Sequence, residues 1–309
     1  MPTFVIVNPK AGAVVDLVAV ISHLRRLRTA TIAIARQRGD TERLCRSALR
    51  AGFDYVIAAG GDGTLNEVVN SVARSRQPGK IRIGIAPVGT GNDFARTLGL
   101  PTALPDNIDI LNNPAAVVRQ MDLVRVKADR IRYFVNVAAG GFSGVMSEKL
   151  TRKIKQSWGP LAYLRGAAAA LPELQSYPAE IVLDDATLTD EIYNVIVANG
   201  RYAGGGVPVA PEADPTDGLL DVILIPRLPG AELAVMAMEM LLGKHLANRE
   251  IIHRRTTQIA IRSRPGMFFN IDGEPFGHAP LSFQLIPGAL HFVTAAAIPA
   301  PAEPTKAKP

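Results

Sequence analysis

Apolar residues recur along this chain with two different periods, and the pattern changes near residue 122. Before that point, short apolar runs alternate with helical patterns at close spacing. The runs at residues 3–7, 31–35, 54–59 and 81–86 read as buried strands separated by helices, as in βαβ units of a parallel sheet. The clearest helical pattern follows the third run, with Leu65, Val68, Val69 and Val72 at i, i+3, i+4 and i+7. Thr64 and Glu67 have the spacing of a capping box, which predicts that this helix starts at Thr64. Gly52 predicts the stop of the helix that carries Cys45. Beyond residue 122 strands dominate, at 123–127, 132–138, 180–183, 193–198, 220–225, 258–262, 268–272 and 281–286. Helical patterns interrupt them at 145–171 and 231–242. The expected fold is α/β in two domains: a parallel-sheet domain over 1–121 and a mainly-β sandwich domain over 122–288. The Pro/Ala/Lys-rich end, 299–309, is expected to be disordered, and no internal repeat is visible.

The strand–helix turns carry the chemistry. Gly60-Gly61-Asp62-Gly63-Thr64 reads as a glycine-rich loop that can turn backbone N–H groups onto an anion, next to the positive end of a helix. Pro87-Val88-Gly89-Thr90-Gly91-Asn92-Asp93-Phe94 is a second loop of this kind, and Asn8-Pro9-Lys10-Ala11-Gly12 a third. In a parallel sheet all three sit at the carboxyl ends of strands, where open α/β sheets place ligands. A nucleotide is the expected ligand. The loop alphabet is not that of a Walker loop, and Phe94 stands where a dinucleotide fingerprint needs its third glycine.

Composition narrows the class. A chain of 309 residues can form two cores, and 48% hydrophobic content without an 18-residue apolar run gives no expectation of a transmembrane segment or a signal peptide. The single cysteine, Cys45, reads as a packed small hydrophobe in a reducing, cytoplasmic setting. The net charge of +6 is compatible with an anionic lipid surface or nucleic acid, but the basic residues are dispersed without the aromatic interleaving of base stacking, so no nucleic-acid partner is expected. Lys149, Arg152, Lys153 and Lys155, followed by Trp158, Tyr163 and Arg165, suit either a membrane interface or a solvated helix face. The five histidines have no metal-site spacing, and no nucleophile elbow is present.

With these motifs in order, the chain resembles the diacylglycerol kinase catalytic-domain family, which includes soluble bacterial lipid kinases and is related to the sphingosine and ceramide kinases. The resemblance rests on the three loops and continues through Asn136 to Ser143, Gly204 to Pro211, Thr216 to Asp221 and Ile271 to Pro275. The one departure noted is Ser71 after Asn70, where a glycine is common. The resemblance implies the same two-domain division, with a final strand over 289–298 returning to the first domain. It implies an ATP- and Mg²⁺-dependent lipid kinase, cytoplasmic with peripheral membrane contact, acting on a membrane lipid such as diacylglycerol or a sphingoid base. A homodimer is left open. The alternatives are an NAD kinase-like enzyme and a non-catalytic lipid-binding relative.

The resemblance also distributes roles. ATP contacts fall to Asn8, Pro9, Lys10, Ala11, Gly12, Thr41, Gly60, Gly61, Asp62, Gly63, Thr64, Leu65, Asn66, Glu67, Gly89 and Thr90. Thr41 reads equally as part of a helix N-cap, and Lys10 as either a phosphate contact or a solvated lysine. Asp62 is the first choice for orienting Mg-ATP; Asp93 is the other carboxylate near the phosphates, or a helix cap. In bacterial relatives the turn corresponding to Asp214, Asp217 and Leu219 holds a structural Mg²⁺; without the family the same residues read as a β-turn. Glu274 is implied as the base that takes the acceptor's proton, with Asp272 its essential neighbour; alone, Asp272-Gly273 is a common hairpin turn. This reading requires a cleft between the two domains.

Overall fold

The computed structural model describes residues 2–12, 16–113, 115–142 and 175–295. The expected 145–171 helix, its basic and aromatic cluster and the 299–309 tail lie outside the described residues. The chain folds into two compact units. One comprises residues up to Leu123, Tyr133–Val135 and the chain from Ile286; the other comprises Val124–Arg132 and Asn136–Leu285.

In the first unit, β1 (Thr3–Val7) pairs in parallel with β2 (Ala30–Ile34) on one side and β3 (Tyr55–Gly60) on the other. β3 pairs in parallel with β4 (Arg82–Pro87). β1, β3 and β4 are buried on both faces, and alternate residues feed two cores. Phe4, Ile6, Val56 and Ala58 face α2 (Asp40–Arg50) and α3 (Asp62–Ala73), which bury Cys45, Ala48, Leu65, Val68, Val69 and Val72 against them. Val5, Val7, Tyr55 and Ile57 face the side covered by α1 (Leu17–Leu24) and α5 (Leu104–Asn112), through Leu24, Ile108 and Leu111. Strand order 2-1-3-4 reverses between β1 and β3, and the carboxyl ends of those two strands frame the crevice where such sheets take ligands.

Two local expectations are corrected here. α3 starts at Asp62 with Gly61 as N-cap, not at Thr64. Thr64 is buried in the first turn, where its Oγ1 accepts from Asn8 Nδ2 at 3.0 Å, so its hydroxyl holds the β1 loop to the helix instead of capping it. The Gly60–Gly63 stretch is likewise not an extended loop: Gly60 ends β3, Gly61 is the only linker, and Gly63 is already helical. Gly52, with φ 87, follows the C-cap Ala51 of α2 and ends that helix as expected.

The second unit is antiparallel and sandwich-like. The strand expected over 132–138 is two, β6 (Ile131–Phe134) and β7 (Val137–Gly141). They part at Asn136, whose carbonyl accepts from Asn199 and Gly200 N–H groups at 2.8 and 2.9 Å. The long β9 (Thr187–Ala198) joins two sheets. Its first half pairs with β8 (Tyr177–Val182), which continues to β12 (Gln258–Ser263) and the start of β15 (Leu281–Thr294). Its second half lies between β7 and β10 (Leu220–Pro226). That sheet extends through β7 to β13 (Phe268–Ile271) and β14 (Glu274–His278), and through β10 to β11 (Ile252–Thr256). Phe269 of β13 meets Phe283 of β15 at a centroid distance of 5.9 Å, joining the two layers. α6 (Gly230–Leu241) packs Leu233 and Met236 against Val137, Ile196 and Ile223. β15 ends in the first unit, where His291 and Phe292 pair in parallel with Arg82 and Ile83.

Candidate active site

Three turns meet at the carboxyl edge of the first unit's sheet, and close packing explains the glycines of the β3 and β4 turns. A Cβ on Gly89 would collide with the Cα of Gly61, and one on Gly60 would strike Thr64 Oγ1. None of these glycines has a left-handed backbone; Gly61 has φ −97. Gly61 and Gly89 are glycines because the β3 and β4 turns touch, and Gly60 because Thr64 packs on it, not because the chain must reverse. Val88 N–H donates to Gly60 O at 3.1 Å and fixes that contact. Asn92, in the left-handed region at φ 52, closes the β4 turn: its Oδ1 accepts from Gly89 N at 3.1 Å and its Nδ2 donates to Gly89 O at 2.7 Å. Asn92, and not Asp93, is the N-cap residue of α4 (Asp93–Thr97).

Asn8 ties in the third turn. Its N–H donates to Ala59 O at 3.0 Å, its Oδ1 accepts from Lys10 N at 3.0 Å and its amide donates to Thr64. Pro9, Lys10, Ala11 and Gly12 follow on a partly or fully exposed turn. No side chain caps α3, so its first turn presents backbone N–H groups and the positive end of the helix dipole beside these loops. Gly61, Asp62, Gly63 and Thr90 keep solvent access there. Thr41, in the first turn of α2, is 3% exposed; Asp40 beside it accepts from Arg36 and Gln37 N–H groups at 2.9 and 3.1 Å and closes that turn.

Two carboxylates converge on Gly91. A Cβ built there would lie 2.9 Å from Asp62 Oδ2 and 3.5 Å from Asp93 Oδ2. Asp62 Oδ1 meanwhile accepts from Phe94 N–H at 3.3 Å, which binds the first turn of α3 to α4. Two carboxylates beside an uncapped helix N-terminus fit Mg²⁺, which takes one or two protein carboxylates and leaves its other positions to phosphate and water. Among the described residues no group of three or more His, Cys, Asp or Glu residues is placed to hold a metal on its own. The two loop carboxylates that the sequence puts near the phosphates, Asp62 and Asp93, both lie beside Gly91.

Other residues expected at the nucleotide also have partners within the first unit. Leu65 is buried and its N–H is bonded to Gly61 O at 3.1 Å. Asn66 and Asn70 clamp Tyr133: Asn70 Nδ2 and Asn66 Nδ2 donate to Tyr133 O at 2.7 and 3.2 Å, and Tyr133 N–H donates to Asn70 Oδ1 at 3.0 Å. Ser71 donates to Glu67 O at 2.9 Å, a packing role. Cys45 is fully buried, and desolvation pushes its thiol up to about 12, which leaves no thiolate for chemistry.

In the second unit, Asp272 and Gly273 form the two-residue turn between β13 and β14, with φ 47 and 82. Two successive positive φ values are what a type I′ hairpin requires, and Asp-Gly is a preferred pair for it. Asp272 is 8% exposed and doubly bonded to β7: its N–H donates to Val137 O at 2.9 Å and its Oδ1 accepts from Val137 N–H at 3.1 Å. Glu274 opens β14 and is exposed. The turn thus separates the two carboxylates, one fixing the hairpin and the other presented to solvent.

The Asp214–Leu219 segment is a closed turn. Asp217 N–H donates to Asp214 O at 3.4 Å, Asp214 Oδ1 accepts from Thr216 N–H at 3.0 Å, and Gly218 has φ 77. Asp217 Oδ1 accepts from Leu219 N–H at 2.9 Å, while Oδ2 is ion-paired with Arg255. Both carboxylate oxygens of Asp217 thus have partners within the chain.

The comparisons with known proteins bear on family and fold. Residues 2–126 match the diacylglycerol kinase catalytic domain, and residues 136–294 match the YegS C-terminal NAD kinase beta sandwich-like domain. A Pseudomonas putida protein named "Probable lipid kinase YegS-like" is 34% identical over 253 residues, covering 82% of this chain and 81% of its own. A diacylglycerol kinase of Bacillus subtilis is 33% identical over 260 residues, 82% of either chain. A crystal structure from Bacillus anthracis, assigned as a diacylglycerol kinase, superposes with a TM-score of 0.80 at 25% identity over 96% of both chains.

Proposed function

The chain belongs to the diacylglycerol kinase catalytic-domain family, and we propose that it is an ATP- and Mg²⁺-dependent lipid kinase that transfers the γ-phosphoryl group to a hydroxyl of a membrane lipid. The observation that carries this reading is the uncapped N-terminus of α3 beside the two carboxylates that converge on Gly91, at the point where strand order reverses. The turns at Asn8–Gly12, Gly60–Thr64 and Gly89–Thr90 bind the phosphates through backbone N–H groups. Asp62, with Asp93 beside it, would hold Mg²⁺, which when bound neutralises phosphate charge. Glu274 accepts the proton of the attacking hydroxyl, and Asp272 holds the hairpin that presents it. Phosphoryl transfer of this kind depends mainly on positioning and charge, so a rigid turn bearing one exposed carboxylate suits the role.

Among the described residues no helix is long and apolar enough to cross a membrane. We place the reaction at a membrane surface reached from the cytoplasm, with diacylglycerol or a sphingoid-like lipid as acceptor. The test uses ATP labelled in the γ-phosphate, Mg²⁺ and dispersed diacylglycerol, sphingoid base, ceramide or phosphatidylglycerol, with NAD and no acceptor as controls. A labelled lipid that disappears with Glu274→Gln supports the proposal and names the acceptor. Labelled NAD would move the chain to an NAD kinase-like activity. ATP binding without transfer to any acceptor, or full activity in both Asp272→Asn and Glu274→Gln, would overturn the catalytic assignment.

A further inference from the structure

The acidic segment before β10 carries its own cations. β10 and β11 are antiparallel with Asp221 directly opposite Arg255. From that position the Arg255 guanidinium donates to Asp217 Oδ2, and its Nε lies 4.0 Å from Asp221 Oδ1. His253, two residues earlier on the same face of β11, places Nε2 2.7 Å from Asp221 Oδ1 and Nδ1 3.9 Å from Glu212 Oε2. Arg201 donates Nε to Ala213 O at 2.8 Å, next to Asp214. Asp217 is thus one of four acidic residues, Glu212, Asp214, Asp217 and Asp221, interleaved with basic groups from another strand and another loop.

A carboxylate in this place needs a cation. Asp214 and Asp221 flank Asp217 along the chain, and Arg255 reaches its carboxylate from β11. The family resemblance assigns that cation to Mg²⁺. A divalent ion on Asp217, however, would share the carboxylate with a guanidinium held by strand register, and like charges at one carboxylate repel. We propose that Arg255 supplies from within the chain the positive charge that a structural Mg²⁺ would otherwise bring to Asp217, so that this turn folds and holds without metal. The proposal is independent of the phosphoryl-transfer reading, since it concerns a cation that stabilises the second unit.

The test is thermal unfolding of the full chain without nucleotide, in EDTA and in Mg²⁺. The wild-type midpoint should be the same in both. Arg255→Met should lower the midpoint in EDTA, and Mg²⁺ should raise it again by about 5 °C, the size of shift that saturating ligand gives a protein of this class. Asp217→Asn added to Arg255→Met should abolish that recovery. A wild-type midpoint that Mg²⁺ raises and Asp217→Asn renders insensitive would overturn the proposal, because metal would then occupy the turn beside Arg255. An Arg255→Met midpoint equal to wild type in EDTA, or lowered but deaf to Mg²⁺, would also overturn it by removing the charge role. Should Arg255→Met not fold, Arg255→Lys decides the question: indifference to Mg²⁺ supports the proposal, and a rise that depends on Asp217 sinks it.

Discussion

Asp62 shows how one side chain serves fold and chemistry through different oxygens. Oδ1 accepts from Phe94 N–H, and Oδ2 lies by Gly91 near the Asp93 carboxylate. Asp62→Asn keeps an acceptor for Phe94 but removes the charge. Its melting midpoint should stay close to wild type while kcat/KM for lipid phosphorylation falls by roughly 10²–10³-fold, the usual size for losing one electrostatic contact to the transferring group. A variant that unfolds early and keeps its specific activity would show Asp62 to be structural only. His245 makes a prediction of the other kind. It is fully buried, with Nε2 3.0 Å from Val209 O, and burial pulls its pKa below 6.5; His253 pushes the same way and Glu239 opposes. The unfolded chain takes up this proton near 6.5, whereas the folded chain resists it, so the unfolded state binds more protons in that window. Stability is therefore expected to fall as pH drops through 6.5 and on to the depressed folded value. Melting curves recorded between about pH 5 and 8 should show this loss in wild type and less of it in His245→Gln, which retains a donor for Val209. Equal slopes in the two proteins would exclude His245 as the source.

At the level of elements, the glycines of the β3 and β4 turns act as spacers. Gly89→Ala would drive a methyl group into Gly61, so the two turns must separate. We expect a loss of about 1–3 kcal/mol in stability from the overpacking, with a raised KM for ATP. Gly277→Ala, where a Cβ meets nothing within 4 Å, is the control and should leave both unchanged. Chemical denaturation and ATP saturation curves measure the two effects separately. Why the glycines are needed was not legible in the sequence, because proximity between distant turns leaves no local signal; neither was the use of Thr64 by Asn8, 56 residues away. The buried elements were legible. β1, β3 and β4 are apolar runs because both faces are covered, and α3 shows its stripe because Leu65, Val68, Val69 and Val72 all enter one core. The strands that sequence reading missed are edges. Among the described residues β11 pairs with β10 alone, and its Ile-His-Arg-Arg-Thr sequence spends its middle on charge. Among the same residues β14 pairs with β13 alone, and it contains Pro275 and Gly277. Edge strands need no apolar alternation and tolerate proline, so hydropathy does not find them. For the candidate site, the loops with Asp62 and Asp93 and the Asp272–Glu274 turn were visible as motifs, but the bond from Phe94 N–H to Asp62 that ties two of the turns together was not.

Across the whole molecule, chain order and structural unit do not coincide. The first unit is completed by the last strand: Leu290, Phe292 and Val293 are buried, and Phe292 meets Phe94 edge-on at a centroid distance of 5.4 Å. Phe94 belongs to α4 and its N–H is bonded to Asp62, so the C-terminal segment supports the turns after β3 and β4 through one buried ring. Asp122 adds to this by accepting from Gly288 N–H at 2.8 Å. A fragment ending at Leu123 would contain every loop of the proposed nucleotide site and still lack this wall of its core. Removing a buried phenylalanine contact alone costs about 3–5 kcal/mol, a large part of the stability of a domain this size. The fragment is therefore expected to lack a cooperative melting transition and to bind ATP poorly. Fusing residues 286–295 to it through a flexible linker should restore both. In the full chain, Phe292→Ala should lower the melting midpoint and weaken ATP binding although no atom of Phe292 need touch the nucleotide. A fragment that melts cooperatively by itself would show that β15 is dispensable to the first unit, and that the turns gain their geometry from α3 and α4 without it.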